Sequence, residues 1–259
     1  MDCYTTSKWI MTMANIFKIF WLGVFIFCAN NLYAHDANTG QSSLANTNNQ
    51  TNQVSITTDG QYRYIYSNGI PHTHGQFPNR NNPSAIQAKN YKFRMTLQPR
   101  LSGKVTPLWG GMDFGVGIDG IPFDPGTAEF WNNDRNWRYE ALSGKINLGF
   151  DQNNAHVQPD GAYHYHGLPT ELIKNLNPNQ HSTIIGYAAD GFPIYALYGY
   201  SKANNANSGI KELKSSYELR PGTRQSGPGG AYDGTFTADY IYHEGAGDLD
   251  QWYPLQIIG

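Results

Sequence analysis

The sequence predicts a mainly β fold, with antiparallel sheets in a sandwich-like or barrel-like arrangement, many Asp-Gly hairpins and one or two short helices. Three observations carry this prediction. The 259 residues are rich in tyrosine (18), glycine (28) and proline (14), and only 15% of them are charged. The segments between turns alternate apolar and polar residues, without a βαβ rhythm. Asp-Gly or Asn-Gly pairs recur at roughly strand-pair spacing, at residues 59–60, 68–69, 119–120, 160–161, 190–191 and 233–234.

The amino terminus predicts an export signal over residues 1–34. Lys8 and Lys18 supply positive charge, residues 19–29 are apolar, and the small residue Ala34 suits cleavage after it. The apolar run is too short to span a bilayer. We therefore predict an exported protein, periplasmic or extracellular, without a stable membrane span.

Composition also predicts how the rest of the chain is divided. Residues 35–53 are almost wholly small and polar, which predicts a disordered linker before a β-rich domain at 54–259. Both cysteines, Cys3 and Cys28, lie in the leader, so the domain is expected to have no disulfide. A formal charge of −2 gives no general electrostatic case for nucleic acid or an anionic membrane.

The first half of the domain shows strand periodicity interrupted by loops. Residues 54–66 predict a hairpin, because apolar residues and then tyrosines alternate on either side of Asp59-Gly60. Two prolines predict a loop at 70–79. Residues 88–97 alternate Tyr, Phe, Met and Leu as a strand, and 116–123 predict a second hairpin with a two-residue turn.

One short helix and two single helical turns are predicted. Residues 127–132 and 140–142 each suit a single helical turn. Residues 168–176 place four aliphatic side chains on one face, with Pro169 in the first turn and Pro178 preventing continuation.

The second half of the domain continues with strands and a polar interruption. A buried strand at 184–189 is predicted to turn back into 192–198. Residues 201–214 predict a polar loop, and shorter strands are predicted at 216–219 and 236–242.

Residues 160–167 (DGAYHYHG) concentrate the chemistry of the chain. If the opening Asp-Gly pair turns a hairpin, a strand follows, with His164 and His166 on one face and Tyr163 and Tyr165 on the other. Two imidazoles at this spacing can direct their nitrogens at one metal ion.

Several longer motifs resemble those of the YHYH-domain proteins over residues 67–250. They are NGIP (68–71), GQFPN (75–79), NP (82–83), GIPFDPGTAE (120–129), HVQPDGAYHYHG (156–167), GYAADGFPIY (186–195), SSY (215–217), DGTF (233–236) and GDLD (247–250). The family consists of exported, largely uncharacterised proteins named for the histidine motif. The resemblance implies export and a shared fold, and it implies no established reaction.

The end of the chain departs from the pattern of the family that it resembles. Members usually continue past Leu-Asp with Glu-Cys-Asn-Gly and a further aromatic strand, whereas Asp250 is followed here by residues 251–259 (QWYPLQIIG). We therefore predict that the carboxyl-terminal end of the domain is incomplete, which would leave an edge strand unpaired.

The candidate metal ligands are His164 and His166, with His156 or Asp190 completing the set. His156 precedes the 160–161 turn, so it can face His164 across a hairpin, whereas an aspartate in an Asp-Gly pair is more often simply a turn residue. The alternative is that both motif histidines are half-exposed and paired with tyrosines or carbonyls. A second His-x-His, His72 and His74, lies in the proline-flanked loop.

Two functions remain open at this point. The first is an exported metal-binding β domain, which takes a divalent ion such as zinc or copper and could be a hydrolase or an oxidoreductase. The second is a non-catalytic envelope or secreted module that binds carbohydrate or protein through exposed aromatic residues around Trp109, Trp131 and Trp137. The identity of any small-molecule, glycan or protein ligand is not predicted.

Overall fold

A computed structural model describes residues 51–100, 113–202, 205–243 and 245–248. Its strands are β1 (Val54–Thr58), β2 (Tyr62–Ser67), β3 (Tyr91–Thr96), β4 (Gly115–Gly117), β5 (Pro122–Phe123), β6 (Ala155–Val157), β7 (Tyr163–Tyr165), β8 (Ile184–Ala188), β9 (Pro193–Tyr195), β10 (Tyr198–Tyr200), β11 (Ile210–Glu212), β12 (Tyr217–Leu219) and β13 (Tyr240–Tyr242). The helical elements are α1 (Thr170–Ile173) and two 3-10 turns, Trp131–Asn133 and Thr237–Asp239. The prediction of a mainly β fold with little helix is confirmed. No described helix is long enough to cross a membrane.

The described strands form four sheets. Their orders are β1-β2-β3, β10-β11, β12-β13 and β6-β7-β5-β4-β8-β9. Every neighbouring pair is antiparallel except β5 and β7, which run parallel through the pairing of Phe123 with Tyr165. A parallel pair needs a long connection, and the chain supplies one by running through residues 124–154 and β6 before it enters β7. The largest sheet is therefore mixed, with the histidine strand β7 in its interior.

Three hairpins of the largest sheet share one loop geometry. The loops occupy residues 118–120, 159–161 and 189–191. In each, the glycine amide donates to the carbonyl three residues earlier, and the glycine is left-handed, with φ of +80°, +87° and +96°. This is a three-residue hairpin loop that ends in a left-handed glycine. The two-residue turn predicted for the 116–123 hairpin is therefore wrong by one residue.

Two predicted elements are shorter than the sequence pattern suggested. The helix predicted over 168–176 is reduced to the four residues of α1, because Asn175 and Asn177 are weak helix formers and Pro178 disfavours a helical conformation in the residue before it. The first half of the strand predicted over 236–242 is the second 3-10 turn, because the Asp239 carboxylate accepts a hydrogen bond from the Phe236 amide (3.1 Å).

Two further local predictions are corrected. The helical turn predicted at 140–142 is a hydrogen-bonded turn, closed by the amide of Ser143 donating to the carbonyl of Glu140. The polar segment 201–214 contains β11, which pairs with β10. Its apolar Ile210 lies directly opposite Tyr200, and this single cross-strand pair was too short a signal to stand out in a polar segment.

Packing of the core determines which face of β7 carries the histidine side chains. Tyr163, Tyr165 and Phe123 are at most 2% exposed and belong to the main hydrophobic cluster, together with Ile185 and Ile194 of β8 and β9. Because strand side chains alternate, burial of the two tyrosines in this cluster directs the intervening histidines to the opposite face.

The segment before β1 is hydrogen-bonded to the loop that follows β4. The side-chain amide of Asn52 donates to the carbonyls of Ile70 (2.7 Å) and Asp119 (2.8 Å). Thr51 and Gln53 also hydrogen-bond to Asn68. These three residues are the described part of the predicted linker. The predicted signal at 1–34, residues 35–50 and the atypical end at 251–259 lie outside the described residues.

A buried ion pair holds the carboxyl-terminal region, and its loss is expected to be costly. Asp239 is fully buried and receives two hydrogen bonds from Arg224 (2.8 and 2.5 Å), which also reaches the more exposed Asp233. Asp239→Ala leaves much of the guanidinium charge uncompensated, so we expect the free energy of unfolding to fall by about 3 kcal/mol. Urea unfolding measures this. The matched control is Asp248→Ala, whose partner Lys211 is partly exposed; its loss is expected to cost less than about 1 kcal/mol, and equal effects would contradict the assignment.

Candidate metal centre

The hairpin of β6 and β7 brings three histidines together. In the register of this pair, His156 lies directly opposite His164, so the expectation that they face each other is confirmed. His166 lies two residues further along and therefore shares the face of His164. The amide of His166 donates to the carbonyl of Asn154 (2.8 Å), which extends the pairing beyond the strand. Local pairing alone thus assembles a three-imidazole cluster.

The three rings point their Nε2 atoms at one another. The Nε2 atom of His166 lies 2.9 Å from that of His164 and 3.1 Å from that of His156. Each histidine offers one ligand atom, and these three atoms lie within 4.8 Å of one another. Two nitrogens bonded at 2.0–2.1 Å to a tetrahedral ion are about 3.4 Å apart. The two separations that involve His166 therefore need only a few tenths of an ångström of expansion to suit an ion.

Backbone carbonyls determine which nitrogen carries the proton in two of the rings. The Nδ1 atom of His156 lies 2.9 Å from the carbonyl of Leu148, and that of His164 lies 3.3 Å from the carbonyl of Ala162. A carbonyl only accepts, so each Nδ1 must be the donor, and each Nε2 carries a lone pair. These are the tautomers in which Nε2 binds a metal and Nδ1–H is oriented by a carbonyl.

The ring of His166 has fewer hydrogen-bond partners than the other two rings. Nδ1 of His166 makes no hydrogen bond of ordinary geometry among the described residues, although the nearby Pro125 carbonyl partly opposes the lowering of its pKa. In the absence of an ion, His166 can donate Nε2–H to only one of its two neighbours at full strength. The cluster is therefore incompletely satisfied by its own hydrogen bonds.

Burial keeps the imidazoles neutral. His164 and His166 are 3% and 2% exposed, and His156 is half-buried. Burial, aided by the neighbouring His156, lowers the pKa of His164 to about 3. Burial and the other two rings hold the pKa of His166 well below its usual value, and burial also lowers that of His156. The alternative of half-exposed motif histidines is contradicted, and all three rings have the neutral form that binds metals.

Two residues that the sequence analysis missed support the cluster. The ring of Phe150 lies 5.3 Å from the ring of His156 and 5.0 Å from that of His166, so it forms an apolar wall. Asn82 is buried and donates to the carbonyls of Val157 (2.9 Å) and Leu148 (3.4 Å), the latter being the acceptor for His156. Neither contact follows from local sequence, although Asn82 lies in one of the motifs that carried the family resemblance.

The motif tyrosines are structural on the opposite face. The hydroxyl of Tyr163 donates to Asp151 (2.8 Å) and accepts from the Asn153 side-chain amide (3.2 Å). The hydroxyl of Tyr165 donates to Asp119 (2.7 Å). Burial and these carboxylates raise the pKa of both phenols, so both stay protonated donors. The Tyr-His-Tyr-His pattern therefore separates the anchoring tyrosines and the clustered histidines onto opposite faces of one strand.

The other sequence candidates do not join the cluster. Asp190 is exposed in the loop between β8 and β9, where its carboxylate accepts a long hydrogen bond from the Phe192 amide (3.5 Å). His72 and His74 are exposed in the loop after β2. The ring of His74 lies 6.4 Å from that of Tyr163, on the tyrosine side of β7. The only group of three potential ligands found among the described residues is that of His156, His164 and His166.

The two tryptophans that the structure describes, Trp131 and Trp137, do not form the exposed platform considered from the sequence. Trp137 is 9% exposed and packs edge-on against Phe236, with ring centroids 5.7 Å apart. Trp131 is half-buried, and Trp109 lies outside the described residues. Trp137 is therefore a core residue, and the prediction that it is exposed is wrong.

Comparison with protein families gives one match. Residues 92–254 match the family described as YHYH protein, a range that covers more than half of the chain and includes the whole largest sheet and its three histidines. Comparisons with curated proteins and with solved structures give no significant match.

Proposed function

The chain belongs to the YHYH protein family, and we propose that His156, His164 and His166 bind one divalent transition-metal ion, zinc or copper. The observation that carries the proposal is the convergence of three neutral imidazoles, two buried and one half-buried, in which the Nε2 atom of His166 lies 2.9 and 3.1 Å from those of the other two. Imidazole nitrogen suits both ions, whereas magnesium and calcium prefer oxygen ligands.

Electrostatics favour an ion over a purely hydrogen-bonded cluster. Two of the three Nε2 atoms carry lone pairs because their Nδ1 atoms donate to carbonyls. One proton on His166 can serve only one of them well, which leaves a buried acceptor unsatisfied at a cost of about 1–3 kcal/mol. An ion at the centre is coordinated by all three lone pairs, once His166 places its proton on Nδ1.

The protein supplies three ligands and leaves room for chemistry. Three nitrogen ligands on a four-coordinate ion leave an open position, at which zinc polarises water or a substrate oxygen. His156 is the half-buried member of the set, so the open position is expected on its side. The ring of Phe150 lies against His156 and His166 and forms an apolar wall beside them.

A calorimetric titration of the tag-free protein with Zn²⁺ tests the proposal. We expect one equivalent to bind. His156→Ala is expected to weaken binding at least tenfold, because it removes one of three ligands and leaves His164 and His166. Absence of stoichiometric binding, or equal affinity in the variant, would overturn the proposal.

The tyrosines offer a prediction that separates stability from metal binding. Tyr165→Phe removes the hydroxyl that donates to the buried Asp119 carboxylate, so we expect the free energy of unfolding to fall by about 1–3 kcal/mol. Zinc stoichiometry is expected to stay at one, because the side chain lies on the face opposite the histidines. Urea unfolding and zinc titration on the same preparation measure both quantities; loss of zinc binding in a folded Tyr165→Phe variant would contradict this division of roles.

We also propose that the protein is exported after removal of residues 1–34. The basic amino-terminal region, the apolar run at 19–29 and the small residue at position 34 support this. Mass spectrometry of the protein recovered outside the cytoplasm is expected to identify His35 as the first residue. Recovery of the intact amino terminus in the cytoplasm would contradict it.

A further inference from the structure

A row of tyrosines runs along the outer face of the sheet β1-β2-β3. Tyr62, Tyr64 and Tyr66 alternate along β2, so they share the face opposite the buried Ile65. Their ring centroids are 6.5 and 6.4 Å apart, and the last two rings are within 19° of parallel. Tyr66 is 39% exposed. We call these three residues the tyrosine ladder.

Two basic side chains from β3 lie on the ladder. Lys92 pairs with Tyr66 and Arg94 with Tyr64 in the strand register. The Lys92 ammonium lies 5.6 and 5.5 Å from the ring centroids of Tyr64 and Tyr66, and the Arg94 guanidinium carbon lies 4.8 Å from that of Tyr62. Cation–π attraction at these distances holds both charges in place on the face.

Strand β1 completes each row with a hydroxyl. Ser55 pairs with Tyr66 and Thr57 with Tyr64, and both are exposed. Two successive rows of the face therefore each carry a hydroxyl, a tyrosine and a cation, at a spacing of about 6.7 Å. A surface with this repeat is suited to a linear ligand that also repeats.

The charge of the face is opposite to that of the chain. Lys92 and Arg94 lie on this face and the three strands carry no acidic residue, whereas the chain has a formal charge of −2. Arg63 alternates onto the opposite face, where its guanidinium lies over the ring of Tyr187. The nearby Asp59 is in the loop between β1 and β2, and its carboxylate accepts hydrogen bonds from the Tyr64 hydroxyl (2.7 Å) and two backbone amides. The face is complementary to an anionic partner.

We propose that this face binds an acidic polysaccharide, a linear sugar polymer that carries carboxylates. Carboxylates pair with the guanidinium and ammonium groups, and sugar hydroxyls match the phenol, serine and threonine hydroxyls. Single-stranded nucleic acid is less favoured, because bases stack on open aromatic faces, and Lys92 and Arg94 lie over the ring faces of the ladder. Strands β1 and β2 lie outside the matched family range, and the proposal does not depend on the metal centre.

Binding to immobilised polygalacturonate tests the proposal, with the purified protein kept in a chelator so that metal plays no part. We expect measurable affinity that falls as salt is raised, and at least tenfold weaker binding by Lys92→Gln/Arg94→Gln. Neutral dextran is expected not to bind.

The control variant Lys145→Gln/Lys202→Gln removes the same charge from exposed positions elsewhere and is expected to bind like the wild type. Circular dichroism checks that each variant is folded, and the single variants Lys92→Gln and Arg94→Gln replace the double variant if it is not. The proposal would be overturned if the protein bound dextran as well as polygalacturonate, or if both double variants lost the same affinity for polygalacturonate. It would also be overturned if Lys92→Gln/Arg94→Gln lost no affinity. Tighter, ladder-dependent binding of poly(dT) would overturn it in favour of nucleic acid.

Discussion

Saturating Zn²⁺ is expected to raise the free energy of unfolding of the wild-type protein by about 4 kcal/mol when the free ion is a thousandfold above its Kd. The proposed site exists only in the folded state, where β6 and β7 hold the three histidines together. The ion gains no comparable site in the unfolded chain, where the histidines are not held together. His164→Ala removes one of the three proposed ligands, a ring that is only 3% exposed, so the zinc-dependent gain is expected to disappear.

Urea unfolding with zinc and with a chelator measures this difference. The metal-free His164→Ala variant is also expected to be somewhat less stable than the metal-free wild type, because the side chain is buried. The informative quantity is therefore the difference between the two conditions for each protein. A zinc-dependent gain of equal size in His164→Ala would contradict the assignment of the ligands.

Gly186→Ala is expected to prevent the largest sheet from forming. A Cβ atom at this position of β8 would lie 2.6 Å from the carbonyl oxygen of Val116 and 2.8 Å from the ring of Phe123. The first is backbone of the neighbouring strand β4, and the second is a fully buried ring that packs on Tyr165. Neither can move without opening the sheet, so we expect a loss of about 5 kcal/mol, which is comparable to the whole stability of many domains.

Circular dichroism and urea unfolding measure the effect of Gly186→Ala. The control is Gly144→Ala, where a Cβ meets nothing within 4 Å and only the left-handed φ of +71° opposes the change. That strain costs about 1–2 kcal/mol. A Gly186→Ala protein that unfolds at the urea concentration of the wild type would show that β4 and β8 are not packed this closely.

The histidine cluster was largely predictable because its geometry is local. Alternation along β7 determines which residues share a face, and a turn after Pro159 determines that His156 faces His164. Both depend on residues within eleven positions of one another. The apparent two-residue turns were misjudged because the left-handed glycine closes a loop that begins one residue before the aspartate.

The rest of the site was not predictable because it depends on distant pairing. Phe150 and Asn82 reach the histidines through the loops that precede β6 and β3, and nothing in their own sequence marks these contacts. The parallel pairing of β5 with β7 likewise joins segments separated by a long connection. Asp190 was a candidate ligand because it lies in the next Asp-Gly turn. It belongs to the loop between β8 and β9, which are at the opposite end of the sheet from the histidine strands β6 and β7.

Metal content of the purified, tag-free protein tests the central claim most directly. After equilibration with Zn²⁺ and removal of free ion by dialysis, the wild type is expected to retain about one equivalent, as a three-histidine site implies. The His164→Ala/His166→Ala variant is expected to retain almost none. The matched variant His72→Ala/His74→Ala, which removes an exposed pair at the same spacing, is expected to retain one equivalent. Equal zinc content in all three proteins, or loss only in the His72/His74 variant, would contradict the claim.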